Sequence, residues 1–343
     1  MTHPAPTVTK NSLLETLQAF KRTSLLKAAV ELGLFDALAD GPRNAHQVAE
    51  AIDGDARAVR ILLGAITAIG LLDTDGARYS LPPGAADLLV SSSPQYAGHA
   101  IKVNTSEWEW QAMRDLAGVV RKGGTGLVPD ATEEGFSYWT DFAAEGTFVT
   151  RAATAALLED IDEWAGGRPD LRVLDIGCGH ALFGLEVTRQ HPQAELHGLD
   201  RAEVLVQAKA HAERMGLTAR TTFLPGDAFT TPLDGPYDLI VVANVLPMFS
   251  EEQGTRLLRR LAGALKPGGR LVTVGFTVED KHPVEEHAAH VLSLLMLVAT
   301  PAGQAHSRAA SRRMLTASGY REISIRRVDP LPVHVVTAEL DRR

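Results

Sequence analysis

The stretch LRVLDIGCGHALFGLEVTRQ, residues 171–190, predicts a buried strand, a glycine turn and an amphipathic helix in direct succession. Gly177 and Gly179 let the backbone of such a turn approach a ligand closely. A dinucleotide site requires a further glycine three residues after the second one, and Leu182 occupies that place. The stretch therefore predicts a ligand-binding turn that fits a dinucleotide poorly.

The alternation of strand and helix continues toward the carboxyl terminus. Further strands are predicted in AELHGLD, TTFLPGDAF, YDLIVVANVL and RLVTVGF. A last pair, REISIRRVD and HVVTAEL, follows the predicted helix SRRMLTASGY and indicates an antiparallel hairpin. Residues 169–343 are thus predicted to form an α/β domain, a doubly wound, Rossmann-like sheet that the hairpin closes.

Acidic and amide side chains stand at or near the ends of these strands. Asp200 lies about 20 residues past the glycines, where such folds place a carboxylate that accepts hydrogen bonds from both ribose hydroxyls. Asp227 follows the third strand and is expected to meet an adenine edge, whereas Asp175 either orients the turn or neutralises a cationic ligand. With Gly177 and Gly179, the predicted cofactor-binding residues are Asp175, Asp200, Asp227, Ala228, Phe229 and Asn244.

Residues 1–95 predict a separate, mainly helical domain. LLKAAVELGLFDALADG predicts a helix that closes on Gly41, two capped helices follow, and LLDTDGARYSL indicates a hairpin. This is a winged-helix arrangement, a shape that often reads DNA. Residues 1–90 carry 8 Lys and Arg against 10 Asp and Glu, and the third helix is mainly apolar. We therefore expect a dimerisation domain rather than a DNA reader.

Residues 96–168 form a less regular region that holds many of the aromatic residues. Trp108 lies in SEWEW, and Trp139 and Phe142 lie in GFSYWTDFAAEGTF. One interpretation is a helical linker whose aromatic side chains grip a flat or apolar substrate. The other is that these side chains pack helices against the main domain.

The motifs ELGLFDAL, VLDIGCG, LHGLD, GDAF, ANVL and LKPGGRLV occur in this order over almost the whole chain. Together they resemble the S-adenosylmethionine-dependent small-molecule methyltransferases, in particular the bacterial and plant O-methyltransferase-like family with an N-terminal winged-helix dimerisation domain. The resemblance implies a class I methyltransferase sheet, a homodimer and S-adenosyl-L-methionine as the cofactor. It also implies that Gly177 and Gly179 line the methionine part of the cofactor, Asp200 the ribose and Asp227 the adenine region. Ala181 stands where the turn commonly has a third glycine.

The segment NVLPMFSEE departs from this family at the catalytic position. The family pattern resembles NVLH-x-(W/F)-(S/P)-(D/E)-E, in which the histidine takes the proton from the acceptor hydroxyl, and Pro247 stands in its place. Proline has neither a titratable side chain nor a backbone N–H, so it cannot act as a base. Methyl transfer itself mainly requires a nucleophile held in line with the methyl group. The departure favours a nitrogen, a carbon or an acidic hydroxyl as the acceptor atom.

A base from another segment is the alternative. His287 and His290 lie in HPVEEHAAHVLSLLML, a predicted helix, and in the family this helix contributes to the acceptor pocket. We expect these two histidines to be the catalytic residues, the other interpretation being that they are surface or satisfied core histidines. No metal site is predicted, because no third ligand is suitably spaced. Met248 and Met296 complete the predicted substrate-binding residues, with Trp108, Trp139 and Phe142.

Composition limits the partners of the chain. A net charge of −8 over 343 residues argues against a general affinity for nucleic acid or anionic membranes. A single cysteine, Cys178, excludes an internal disulfide framework. The N-terminus lacks an apolar signal core, and the longest apolar stretch is too short to span a bilayer. We expect a cytoplasmic protein with a small-molecule substrate.

The predicted function is S-adenosylmethionine-dependent methyl transfer to a small aromatic or polyfunctional natural product, as in antibiotic or other secondary metabolite biosynthesis. Two alternatives stay open. One is a family member that keeps the cofactor but catalyses a cyclisation or hydroxylation. The other is a non-catalytic, S-adenosylmethionine-sensing regulator that binds DNA.

Overall fold

The structure, a computed structural model, describes residues 7–125, 130–133, 135–136, 138–144, 148–279, 281–329, 331 and 333–340. The chain forms two compact units, Met1–Glu109 and Trp110–Arg343. The domain boundaries inferred from the sequence, after residues 95 and 168, stay predictions. Within the described ranges, no helix combines the length and the apolar character needed to cross a membrane.

The first unit is mainly helical and contains one two-stranded antiparallel hairpin. The side chains of Asn44 and Asp55 cap the second and third helices by accepting hydrogen bonds from backbone N–H groups. The elements are α1 (Lys10–Glu31), α2 (Ala45–Ala51), α3 (Ala56–Ala68), β1 (Asp73–Thr74), β2 (Tyr79–Ser80), α4 (Ala85–Leu89) and α5 (Gly98–Asn104).

The first helix ends earlier than the sequence predicted. We expected helix up to Gly41, but α1 ends at Glu31 and a separate 3-10 turn covers Asp36–Leu38. The reason is Gly33, whose φ of +65° is left-handed and ends the helical path. The break turns Leu34 into the core of the unit, where it is fully buried.

The second unit begins with helices and continues as a seven-stranded sheet. Helix α6 (Glu107–Arg114) crosses the boundary between the units, and α7 (Leu116–Lys122), α8 (Tyr138–Ala144) and α9 (Phe148–Gly166) follow. The strands are β3 (Leu171–Ile176), β4 (Ala194–Asp200), β5 (Thr221–Pro225), β6 (Tyr237–Ala243), β7 (Leu265–Gly275), β8 (Tyr320–Arg327) and β9 (His334–Leu340).

The order of the strands is β5-β4-β3-β6-β7-β9-β8. Strands β3 to β7 are parallel, and β9 is antiparallel to both β7 and β8. This is the predicted doubly wound sheet with its closing hairpin, and it confirms the class I methyltransferase fold. Strand β7 begins at Leu265, before the predicted strand RLVTVGF, and pairs irregularly with β6 at this point.

Helices cover both faces of the sheet. Val173 and Leu174, neighbours on β3, belong to different core clusters, as side chains on opposite faces of a strand should. One cluster includes side chains of α9, α10 (Leu182–Gln190) and α11 (Leu205–Arg214). The other includes side chains of α12 (Glu251–Ala262) and α14 (Arg308–Ala317).

The topology opens a crevice between β3 and β6. From β3 the chain proceeds to β4 and β5 on one side, whereas β6 lies on the other side of β3 and leads to β7. Ligands of such sheets bind at the carboxyl ends of the strands where the order reverses. Gly177 follows β3 at this point, and Asn244 follows β6.

Candidate active site

The turn after β3 has left-handed backbone at Gly177, Gly179 and Ala181, with φ values of +59°, +54° and +58°. A β-carbon at Gly177 would lie 2.5 Å from Cγ2 of Val245, whereas one at Gly179 would meet no atom within 4 Å. Gly177 therefore permits close packing on the turn after β6. Gly179 leaves open space above the turn.

Asp200, at the end of β4, fixes this turn. Its Oδ2 accepts a hydrogen bond of 2.7 Å from the Gly179 N–H, and its Oδ1 accepts one of 2.7 Å from the Arg201 N–H. Burial raises the pKa of Asp200, and these two N–H groups act in the opposite direction. Each carboxylate oxygen has a second lone pair and can accept a further hydrogen bond from a ligand.

The loop after β5 is held from two sides. Asp227 Oδ1 accepts a hydrogen bond of 2.8 Å from the Phe229 N–H, and Arg260 Nη1 donates one of 2.6 Å to the carbonyl oxygen of Ala228. The Phe229 ring packs edge-on against Phe249, with ring centroids 5.0 Å apart. These contacts give the loop a fixed shape.

The turn after β6 carries the proline that replaces the expected base. Asn244 adopts a left-handed φ of +58°, an uncommon conformation for a residue other than glycine, and its N–H donates to Val274 O at 2.7 Å. A 3-10 turn, Leu246–Met248, follows, and Pro247 is buried in it. Helix α12 then begins after Ser250, whose side chain forms a capping box with Gln253.

These turns surround one cavity of about 310 Å³, which is within the range of small-ligand sites. The structure brings most of the predicted residues to it. The predicted residues that line the cavity are Gly177, Gly179, Asp200, Asp227, Ala228, Phe229, Asn244, Trp139, Phe142 and Met248.

Comparisons with known proteins show the family to which the chain belongs. Residues 157–321 match the O-methyltransferase domain, and residues 14–91 match the O-methyltransferase dimerisation domain. A relative, the 3-hydroxy-5-methyl-1-naphthoate 3-O-methyltransferase of Streptomyces sahachiroi, is 30% identical over 81% of this chain and 80% of its own. The chain belongs to the O-methyltransferase family. It is an S-adenosylmethionine-dependent methyltransferase.

Two further relatives show the breadth of this family. The N,N-dimethyltransferase OxyT of Streptomyces rimosus is 31% identical to the methyltransferase over 78% of each chain. The solved structure of the mitomycin 7-O-methyltransferase MmcR is 26% identical, covers 97% of this chain and 98% of its own, and superposes with a TM-score of 0.81. The methyltransferase is thus similar to enzymes whose names indicate transfer to oxygen and to nitrogen.

Asp175 does not line the cavity of the methyltransferase, although the sequence placed it among the cofactor-binding residues. It is buried beneath the turn, and its Oδ2 accepts a hydrogen bond of 3.1 Å from the Gly184 N–H. Burial raises the pKa of Asp175 to about 8. Of the two roles considered for it, the geometry favours orientation, because this hydrogen bond ties β3 to α10, the helix that follows the turn.

The aromatic side chains of α8 form one wall of the cavity. Trp139 Nε1 donates a hydrogen bond of 2.8 Å to the carbonyl oxygen of Ala131. Phe142 stacks on His180, with ring centroids 6.4 Å apart. His180 is buried, its Nδ1 accepts the Leu182 N–H, and burial lowers its pKa to about 3. His180 is thus a neutral support for Phe142.

Besides Asp175, three predicted residues of the second unit do not line the cavity. His287 and His290 are exposed on α13 (His287–Ala299), and Met296 is buried in the same helix. The helix begins at His287, after a 3-10 turn over Pro283–Glu286, and Val291 is exposed along with the two histidines. The geometry gives a catalytic role of these histidines no support. Trp108 lies in the first unit, and its role stays a prediction.

The described residues contain no group of three or more side chains suited to holding a metal ion.

Sequence reasoning missed two arginines that line the cavity, Arg201 and Arg256. Arg256 lies over the Phe229 ring at 4.9 Å. Nη1 of Arg201 is buried without a hydrogen-bond partner in the described part of the chain. The position of Arg201 directly after Asp200 was the available signal.

We predict that Gly177→Ala destabilises the methyltransferase more than Gly179→Ala. A left-handed alanine costs about 1–2 kcal/mol at either position. At Gly177 the new methyl group also meets Val245, which adds about 1–3 kcal/mol of overpacking. The free energy of unfolding from urea denaturation measures the difference. Equal losses in the two variants would contradict the packing assigned to Gly177.

We predict that Asp175→Asn changes how stability depends on pH. The folded pKa of Asp175, about 8, exceeds its ordinary value of 3.8, so the parent loses stability as pH rises through this interval. The isosteric amide does not ionise, so the variant gains stability relative to the parent between pH 4 and 8. Asn replacement of the exposed Asp170 is the control. A difference in unfolding free energy that stays constant from pH 5 to pH 8.5 would refute this origin.

Proposed function

We propose that this methyltransferase transfers the methyl group of S-adenosylmethionine to a nitrogen, a carbon or an acidic hydroxyl of a small aromatic or polyfunctional natural product. One observation carries the proposal. The cavity joins the carboxylates Asp200 and Asp227 to the turn in which the buried Pro247 replaces the histidine base. Binding and chemistry are thereby separated, because the residues proposed to bind the cofactor are present while position 247 carries no histidine.

The cavity residues fit the cofactor. Asp200 retains acceptor capacity for the ribose hydroxyls, the open space above Gly179 admits the methionine part, and Asp227 with the Phe229 ring is available to the adenine. The buried Nη1 donor of Arg201 offers a further hydrogen bond to the cofactor. The cofactor supplies an activated methyl group on a sulfonium, and the chain holds and orients it.

The acceptor atom follows from the groups available at the cavity. No histidine is among the described residues that line it, and Pro247 cannot accept a proton. An unactivated alcohol would need a base at this point. An amine, an activated carbon or an acidic phenol reacts once it is held in line with the methyl group. Trp139 and Phe142 supply flat apolar contact for an aromatic acceptor.

Membership in a methyltransferase family favours catalysis over the DNA-binding regulator. The products of the reaction distinguish methyl transfer from a cyclisation or a hydroxylation. Incubation with S-adenosylmethionine and a panel of aryl amines, phenols and indoles should yield S-adenosylhomocysteine and a product heavier by one methylene group. Conversion of an acceptor with S-adenosylmethionine left intact would contradict methyl transfer.

We predict that Asp200→Asn weakens S-adenosylmethionine binding by roughly 10- to 100-fold, the equivalent of losing about 1.4–2.8 kcal/mol from charge-assisted hydrogen bonds. Isothermal titration calorimetry measures the dissociation constant. Glu203→Gln, an exposed substitution three residues away, is the matched control and should bind as the parent does. An unchanged affinity of the Asp200 variant would refute its assignment to the ribose.

We also propose that the methyltransferase is a homodimer whose contact includes α1. The matched dimerisation domain covers most of this helix. Leu13, Leu14, Leu17 and Phe20 are 55–62% exposed within the first unit, although apolar side chains of this size favour burial. A second copy of the chain would cover this surface.

We predict that the double substitution Leu17→Asp and Phe20→Asp yields a monomer. Two carboxylates on this surface would be desolvated in a dimer contact, which costs several kcal/mol. Size-exclusion chromatography with light scattering measures the mass. Arg22→Asp on the same helix is the control for added negative charge. A double variant that keeps the mass of a dimer would exclude this part of α1 from the contact.

A further inference from the structure

A second, smaller cavity of about 30 Å³ lies behind the turn that carries Pro247. Leu246 and Pro247 line this cavity, whereas their neighbours Asn244 and Met248 line the cofactor cavity. The turn therefore separates the two spaces. The small cavity is also lined by two buried histidines, His306 and His334, which the proposed function does not use.

His306 is tied to the turn. It is only 4% exposed, and its Nε2 lies 3.1 Å from the carbonyl oxygen of Leu246. A carbonyl oxygen only accepts hydrogen bonds, so the proton of the ring is on Nε2. Burial lowers the pKa of His306, which keeps the ring neutral and leaves a lone pair on Nδ1. This Nδ1 is buried and has no partner in the described part of the chain.

His334 is the counterpart of His306 at the start of β9. It is 3% exposed, and its Nε2 lies 2.9 Å from Glu279 Oε1. Hydrogen bonds from Lys281, His334 and Arg308 lower the pKa of Glu279 to about 2, so the carboxylate is ionised and accepts the Nε2–H. The Nδ1 of His334 is likewise buried without a partner among the described residues.

Both histidines that line the small cavity thus have a buried Nδ1 without a hydrogen-bond partner among the described residues. An unpaired buried polar atom costs about 1–3 kcal/mol. One water molecule can donate to one ring nitrogen and donate to or accept from the other. A space of roughly 10–15 Å³ is enough for one water molecule. Thr277 and Ser311 also line the cavity, and their hydroxyl groups can donate to a water oxygen.

We propose that this cavity is a binding site for one water molecule, which donates to Nδ1 of His306 and bridges it to Nδ1 of His334. The result is a continuous hydrogen-bonded chain from Leu246 O through His306, the water and His334 to the Glu279 carboxylate. His306 is then a positioning residue for the turn that carries Pro247. This last role rests on the proposed methyl transfer, whereas the water site does not.

The loop before His306 shows how closely this region packs on the turn. A β-carbon at Gly303 would lie 2.5 Å from the carbonyl oxygen of Pro247 and 2.9 Å from the carbonyl carbon of Met248. The Gly303 N–H is held by Thr300 Oγ1 at 2.8 Å. This region therefore contacts the turn at two places. The backbone of Gly303 packs against Pro247 and Met248, and the imidazole of His306 bonds to the carbonyl oxygen of Leu246.

The site is tested on the resting protein, without any methylation assay. A high-resolution crystal structure should show one water at hydrogen-bond distance from both Nδ1 atoms, and ¹⁵N NMR should show His306 as the Nε2–H tautomer with a hydrogen-bonded Nδ1. No ordered water at this place, or an Nδ1–H tautomer of His306, would overturn the proposal. Displacement of the Nδ1 signals by added Zn²⁺ alone would overturn it in favour of a metal site.

The positioning role is tested by His306→Leu and His306→Gln. The leucine variant loses the bond to Leu246 O, and its kcat should fall roughly tenfold, the equivalent of one hydrogen bond of about 1.4 kcal/mol. Its KM for S-adenosylmethionine should stay the same. Glutamine retains an N–H near the place of Nε2 and should restore part of the lost kcat. Unchanged kcat in the leucine variant, or no recovery with glutamine in a variant that is equally folded, would refute the role.

Discussion

The shape of the cavity at the carboxyl ends of β3 and β4 depends on the hydrogen bond from the Gly179 N–H to Oδ2 of Asp200. Neighbouring parallel strands leave the carboxyl ends of β3 and β4 side by side, but adjacency alone does not set the shape of a glycine turn. The bond does so because a half-buried carboxylate favours hydrogen-bond partners, and the turn supplies the donor. The left-handed backbone of Gly177 and Gly179 is the conformational condition for that pairing.

Fold and reaction chemistry are encoded by different parts of this chain. The sheet needs its apolar strands and the close packing of Gly177 on Val245, and neither depends on the residue at position 247. Proline even suits the 3-10 turn in which it lies, since its ring fixes φ. A substitution here can therefore remove a base while the cavity and its cofactor contacts persist. The fold alone does not specify the acceptor atom.

Periodicity and glycine spacing were enough to predict the doubly wound sheet. They also predicted that the two glycines and the carboxylate of Asp200 lie at the cavity. Periodicity did not give the depth of a side chain or the exposed face of a helix. His287 and His290 lie on the exposed side of α13, which the apolar pattern of that segment alone does not determine. Asp175 has the right spacing for a ligand contact but lies one layer below the turn. Arg201 was missed because a charged residue next to Asp200 appears ordinary in a linear pattern.

The arrangement of imidazoles has a consequence for the range of acceptors. His180 supports an aromatic wall as a neutral ring, His306 faces away from the cofactor cavity, and His287 is exposed. If none of these rings reaches the acceptor, the proton on the reacting atom must pass to solvent, or the reacting atom must carry no proton that has to be removed. The rate then depends on the intrinsic nucleophilicity of the acceptor at the ambient pH. Selection among natural products would accordingly rest on the acceptor's own acidity and on its fit against Trp139 and Phe142, rather than on activation by the enzyme.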